Sequence, residues 1–195
     1  AQHFTREHLD RLTEIRHARV AWGIPLYSAN SQTHDAIVGR KGAFDKLVES
    51  LGLLLLAGAR IELRTVMMQQ NVSRLAELSQ FVVRNLAHIE QWSIMGLENI
   101  GFARNRWDDL YCDTRKAFPH LAEAINIAVL HGLAPRVFNI PLCHLPENYR
   151  KFAVASISDW KQRFGKACGV CSVRTNCSGF FEWHPDYLVE EVEPL

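Results

Sequence analysis

Apolar segments rich in β-branched and aromatic residues alternate with amphipathic stretches of helical period along most of this chain, and that alternation leaves few folds open. Thr5 to Arg16 reads as an amphipathic helix, with Thr5 as N-cap and Leu9, Leu12 and Ile15 along one face. RVAWGIPLY (Arg19 to Tyr27) then reads as a buried strand that leaves into the turn-rich Ser28, Ala29, Asn30 and Ser31. The cycle repeats: helix from Gly42 to Ala57 stopped by Gly58, strand from Arg60 to Met68, helix from Val72 to Leu86, and strand from Ile89 to Leu97. A helix from Pro119 to His131 closes at Gly132, and Arg136 to Ile140 supplies a fourth strand before Pro141. Such a rhythm predicts right-handed βαβ units on a parallel sheet, with functional groups on the loops after the strands. Four strands are too few to close a cylinder, so the alternatives are part of a barrel or a small open sheet complete in itself.

Composition narrows the function classes. The 195 residues are 48% hydrophobic and 22% charged, enough apolar surface for a substantial core and unlike a disordered chain. A formal net charge of +1 gives no electrostatic excess for nucleic acid or anionic lipid. The longest apolar run, Leu51 to Gly58, falls well short of the roughly 20 residues needed to cross a bilayer. His3, Arg6, Glu7 and Asp10 interrupt any signal-peptide pattern at the N-terminus. The expectation is a cytoplasmic chain with neither nucleic acid nor membrane as partner.

Beyond the last strand the alternation stops, and Cys143, Cys168, Cys171 and Cys177 follow as C-x24-C-x2-C-x5-C. An odd total of five cysteines, three of them within ten residues, suits metal binding in a reducing compartment better than a disulfide framework. The C-x2-C step turns two sulfurs toward one centre, while Gly169 and Gly179 let the backbone turn around it. Zinc and a [4Fe-4S] cluster both accept four thiolates, so the spacing leaves the metal open. Cys112 stands apart and reads as a packing residue, and His184 as a surface histidine. The chain therefore divides into an α/β region, 1–141, and a cysteine-rich region, 142–195.

The stretches Ile24 to Leu51 (IPLYSANSQTHDAIVGRKGAFDKLVESL) and Gly58 to Asn71 (GARIELRTVMMQQN) resemble the middle of a radical S-adenosylmethionine (SAM) barrel. IMGLEN (Ile94 to Asn99), NIPLCHLPE (Asn139 to Glu147), SISDWK (Ser156 to Lys161) and CGVCSVRTNCSGFF (Cys168 to Phe181) resemble the radical SAM maturases of the His-Xaa-Ser peptide system. The resemblance implies the C-terminal part of a partial (β/α)6, TIM-like barrel. It further implies SAM cleaved at a first [4Fe-4S] cluster, an auxiliary [4Fe-4S] cluster on the four C-terminal cysteines, and a peptide or small-protein substrate modified after translation. That family's C-x3-C-x2-C motif is missing here. The expectation is a fragment whose N-terminal half barrel is supplied in cis or in trans, and which does not cleave SAM alone.

Barrel logic and the resemblance also name ligand contacts. Ser28, at the end of the first strand, suits a ribose hydroxyl, and Arg64, a charge inside an apolar strand, suits the SAM carboxylate. Against these stand an ordinary turn role for Ser28 and pairing of Arg64 with Glu62, two residues away on the same face. Met95 and Gly96 resemble the stretch where the superfamily seats adenine, with Glu98 following at the loop as a further SAM contact and core packing as the rival for Met95. Asn139 can read substrate or occupy a turn before Pro141; Trp107 and Trp160 can line a peptide groove, Trp160 more simply anchoring a short helix. Two further readings remain, a zinc-stabilised binding module and a peptide-binding remnant without cofactor.

Overall fold

The computed structural model describes residues 5–14, 20–86 and 88–195. Helix α1 (Arg6–Glu14) matches the helix expected from Thr5. Ile15, Arg16 and Arg19 lie outside the described residues, as do the side chains of Leu9 and Leu12. The chain then runs β1 (Ala21–Pro25), α2 (Ser31–Val38), α3 (Ala43–Leu56), β2 (Arg60–Val66), α4 (Leu75–Asn85) and β3 (Gln91–Met95). Two short helices, α5 (Gly101–Asn105) and α6 (Trp107–Leu110), precede α7 (Phe118–Leu130), β4 (Arg136–Phe138) and β5 (Ala153–Val154).

All five strands are parallel, in the order β1-β2-β3-β4-β5. Because every crossover steps one strand in the same direction, right-handed connections place the linking helices on one face. Burial agrees with that layering. Ile61, Leu63 and Thr65 of β2 are buried, while the intervening Arg60 and Arg64 are exposed and Glu62 is half-buried. The helix-covered side holds the core: Ile24, Leu63, Trp92, Ile94 and Val137 from the strands, with Leu51, Leu78, Leu121 and Ala124 from the helices. A buried chain of hydrogen bonds stitches the first three strands, Trp92 Nε1 donating to Thr65 Oγ1 (3.0 Å) and Thr65 Oγ1 donating to the Leu26 carbonyl (2.8 Å).

Two elements escape the sequence pattern. Asn30 and Ser31, read as loop, instead start α2: Asn30 Oδ1 accepts the Thr33 N–H at 3.0 Å, and Gly39 ends the helix at φ 72. The fifth strand is two residues long, too short to show a period, and pairs Ala153 and Val154 with Val137 and Phe138. The sheet thus continues past residue 141. Its arrangement is an open, singly wound mixed α/β layer with one face free of described helices, which is the layout of part of a barrel rather than of a doubly wound sheet.

The remaining tail wraps the C-terminal edge of this sheet. An antiparallel pair, β6 (Gln162–Arg163) with β7 (Phe180–Phe181), and helix α8 (Asp186–Glu190) are linked by 3₁₀ turns. Phe180, Val189 and Val192 form a small separate core against which Cys143 and Cys168 pack. Among the described residues no helix is long and apolar enough to cross a membrane.

Candidate metal centre and the open sheet face

The cysteines arrive on four local structures. Cys143 sits in the 3₁₀ turn Leu142–His144, reached directly from β4 through Asn139, Ile140 and Pro141. Asn139 makes that exit with φ 59, a left-handed conformation Asn tolerates, and its Oδ1 accepts from Ser156 Oγ at 3.0 Å. Cys168 lies in the turn Lys166–Val170, Cys171 follows it, and Cys177 follows the turn Arg174–Asn176. All four line one recess, walled also by Phe164 and Phe180.

Two glycines let the tail close that recess. A Cβ on Gly165 would stand 2.2 Å from the Val189 carbonyl oxygen, and one on Gly179, at φ 61, would stand 2.8 Å from that of Arg163. Gly169 has open space and no positive φ, so of the two turning glycines expected from sequence only Gly179 bends the chain in that way. Cys177 Sγ accepts two backbone N–H groups, from Leu142 at 3.3 Å and Gly179 at 3.4 Å. The first of these bonds joins the Cys143 turn to the distant Cys177. Ser178 Oγ, donating to the Ile140 carbonyl at 3.0 Å, adds a second tie.

Burial pushes the Cys143 thiol up to about 11, and negative charge on Cys177, Cys168 and Cys171 would push the same way. Burial also raises the Cys168 thiol, with Cys177 and Cys171 acting in the same sense. The four sulfurs are therefore within electrostatic reach of one another, and a metal must displace protons to bind them. Among the described residues no three His, Cys, Asp or Glu side chains group closely enough to hold one metal ion. The four thiols share the lining of one recess. Cys112 is a free thiol of the main core, raised to about 11 by burial, and does not line the recess.

The face of the sheet opposite the helices carries a second polar constellation. Arg64 Nε and Nη2 both donate to Glu62 Oε2, at 3.0 and 2.6 Å. Ser93 Oγ donates to Glu62 Oε1 at 2.7 Å, and Gln91 Nε2 donates to Ser93 Oγ at 2.6 Å. Burial alone would raise the Glu62 carboxyl, but bonds from Arg64, Ser93 and Gln91 outweigh it and hold it below its ordinary value. The guanidinium thus keeps the edge bearing Nη1 for another acceptor. Ser93 and Gln91 were legible only through strand parity with Glu62, a signal that a lone serine and glutamine do not raise.

The other expected contacts spread around the C-terminal ends of the strands. Ser28 is 1% exposed and its Oγ accepts the Asn30 N–H at 3.1 Å. Met95 is half-buried, in register with Val66 and Phe138. Gly96 is pressed against the neighbouring strand: a Cβ there would lie 2.6 Å from the Asn139 carbonyl oxygen. Glu98 pairs with Lys161 at 3.7 Å, tying the loop after β3 to the tail. His184 is not the surface residue expected; at 8% exposure its Nε2 donates to the Leu97 carbonyl at 3.1 Å, since the tail folds onto that loop. Trp107 is buried, stacked on Tyr111, whereas Trp160 is exposed beside Trp183 and Lys161.

No family model matches the chain, and no curated protein matches it. Among solved structures it is similar to a domain of pyruvate-formate lyase-activating enzyme from Bacteroides vulgatus ATCC 8482, with a TM-score of 0.51 and 13% identity. That likeness covers 68% of this chain and 74% of the other. At such identity it shows a shared fold and nothing further.

Proposed function

We propose that this chain is part of a radical SAM enzyme that modifies a peptide, and that Cys143, Cys168, Cys171 and Cys177 hold an auxiliary [4Fe-4S] cluster. One observation carries the reading. A cysteine separated from the others by 24 residues is brought to the same recess, and a hydrogen bond from its turn to Cys177 keeps it there. The donor set suits an iron–sulfur core, which takes four thiolates and is tuned by N–H bonds to sulfur such as the two on Cys177. The sequence resemblance supports the same assignment, and the shared fold supports its radical SAM part alone.

When bound, SAM with its own cluster would supply hydrogen abstraction from a substrate carbon, and the auxiliary core would bind substrate or accept an electron. The chain's share is positional. The open sheet face would take SAM, Arg64 meeting its carboxylate with the guanidinium edge that Glu62 leaves free, Met95 and Gly96 flanking the adenine, and Ser28 and Glu98 bordering the site. Asn139, at the end of β4 beside the cysteine turn, would meet the peptide.

Anaerobic reconstitution with iron and sulfide, followed by metal and sulfide analysis, tests the cluster. The expected product is brown protein with iron and sulfide in equal amounts and little zinc. Colourless protein that loads zinc and refuses iron would overturn the reading in favour of a zinc-stabilised module.

A further inference from the structure

Two charged side chains besides the cysteines line the thiol recess, Arg174 and Glu193. Arg174 follows Cys171 by three residues and lies with its Cζ 4.9 Å from the centre of the Phe164 ring, itself a wall of the recess. Cation–π contact of this kind holds a guanidinium in place without neutralising it. Among the described residues Arg174 makes no ion pair. Glu193 stands on a strap closed by two anchors: Val192, buried beside Phe180 and Val189, and the Ser172 N–H donating to the Leu195 carbonyl at 2.8 Å. Both charges are therefore placed by the fold at the mouth of the recess.

We infer that Arg174 is the countercharge of the recess, set by Phe164 to stabilise an anionic core held on the four thiolates, with Glu193 acting in the opposite sense. This rests on the iron–sulfur reading of the site. Four thiolates leave such a core net negative, and one added electron makes it more so. A fixed cation at its edge favours the more negative state, so it raises the reduction potential, while a fixed anion lowers it. The electron comes from the external reductant, and only the charge on the core changes.

Redox titration of the reconstituted 195-residue chain with dithionite and mediator dyes, followed by electron paramagnetic resonance of the reduced core, reads this directly. Arg174→Met keeps the apolar stem and loses the charge, and its midpoint should move to more negative potential. Arg174→Lys should stay close to wild type, and Glu193→Gln should move to more positive potential. Arg174 and Glu193 are exposed, so these variants fold. Equal midpoints in wild type and Arg174→Met, both with full iron, would overturn this inference and leave the cluster reading standing. A Lys variant displaced as far as the Met variant would overturn it too, by showing that packing rather than charge matters. Wild-type protein that takes up no iron would sink the cluster reading first, and this inference with it.

Discussion

The guanidinium of Arg64 lies across Gly23, so close that a Cβ on Gly23 would sit 2.8 Å from Arg64 Cζ. The glycine is a seat for the side chain of the neighbouring strand, and Glu62 fixes the guanidinium there from the other side.

Gly23→Ala should therefore be cheap for stability and specific in effect. The displaced group is the end of a flexible side chain, and the half-exposed Arg64–Glu62 pair contributes little, so the loss should be no more than about 1 kcal/mol. Gly96→Ala meets backbone instead, the Asn139 carbonyl oxygen at 2.6 Å, and forcing strands β3 and β4 apart should cost about 1–3 kcal/mol. Urea denaturation of the two variants side by side checks this; an equal loss in both would refute the distinction.

Thr65 should matter out of proportion to its size. Its hydroxyl accepts from Trp92 Nε1 and donates to the Leu26 carbonyl, all inside the core. Thr65→Val keeps the shape but leaves the indole N–H buried without its acceptor, a loss of about 1–3 kcal/mol. Thr65→Ser keeps both bonds and should lose less. Thermal unfolding that ranks the serine variant below the valine variant would contradict the hydrogen-bond account.

How far the sequence reaches is clear from these same residues. Ile61, Leu63 and Thr65 against Arg60, Glu62 and Arg64 is a period-two pattern, so β2 and its two faces can be read in advance. The alternation of long elements gave the parallel sheet for the same reason. Asn30 and Ser31 failed because caps and turns use the same residues, and only the Thr33 N–H decides between them. β5 failed because two residues carry no period. The cysteine spacing named the thiols, but that Cys143 shares their recess depends on Leu142 and Cys177 meeting across 35 positions, which no local pattern encodes. Arg174 and Glu193 reach the recess the same way, through folding of the tail.

His34 should make stability depend on pH. Its Nδ1 accepts the Tyr27 N–H at 3.3 Å, and the ring sits between Tyr27 and Phe44 at 1% exposure, a place only the neutral imidazole fits. Burial lowers its pKa, with the Asp35 charge opposing more weakly. The unfolded chain, with an ordinary value near 6.5, then takes up a proton before the folded chain does. Stability should be full above about pH 6.5 and fall as the solution is acidified below it. His144 and His184 are shifted the same way, chiefly by burial, and add to the slope. His34→Phe should flatten the decline between neutral and mildly acidic pH in denaturant titrations; a slope identical to wild type would rule out His34 as a contributor.

Cys143 offers the sharpest test of the site, because it has both the longest sequence separation from its partners and a thiol pushed up to about 11. Only the thiolate binds metal, and each unit of pH below that value cuts the thiolate fraction about tenfold. Core assembly should therefore release protons and go further at pH 8.5 than at pH 6.5 when followed by the growth of charge-transfer absorbance. Cys143→Ala should lose most bound iron, whereas Cys112→Ser, away from the recess, should load like wild type. The Cys143 side chain also carries a share of the small tail core, so circular dichroism of the apo proteins separates misfolding from lost ligation. If Cys143→Ala folds and binds as much iron as wild type, with the same pH dependence, three cysteines hold the metal and the turn at Leu142 serves only to pack the tail.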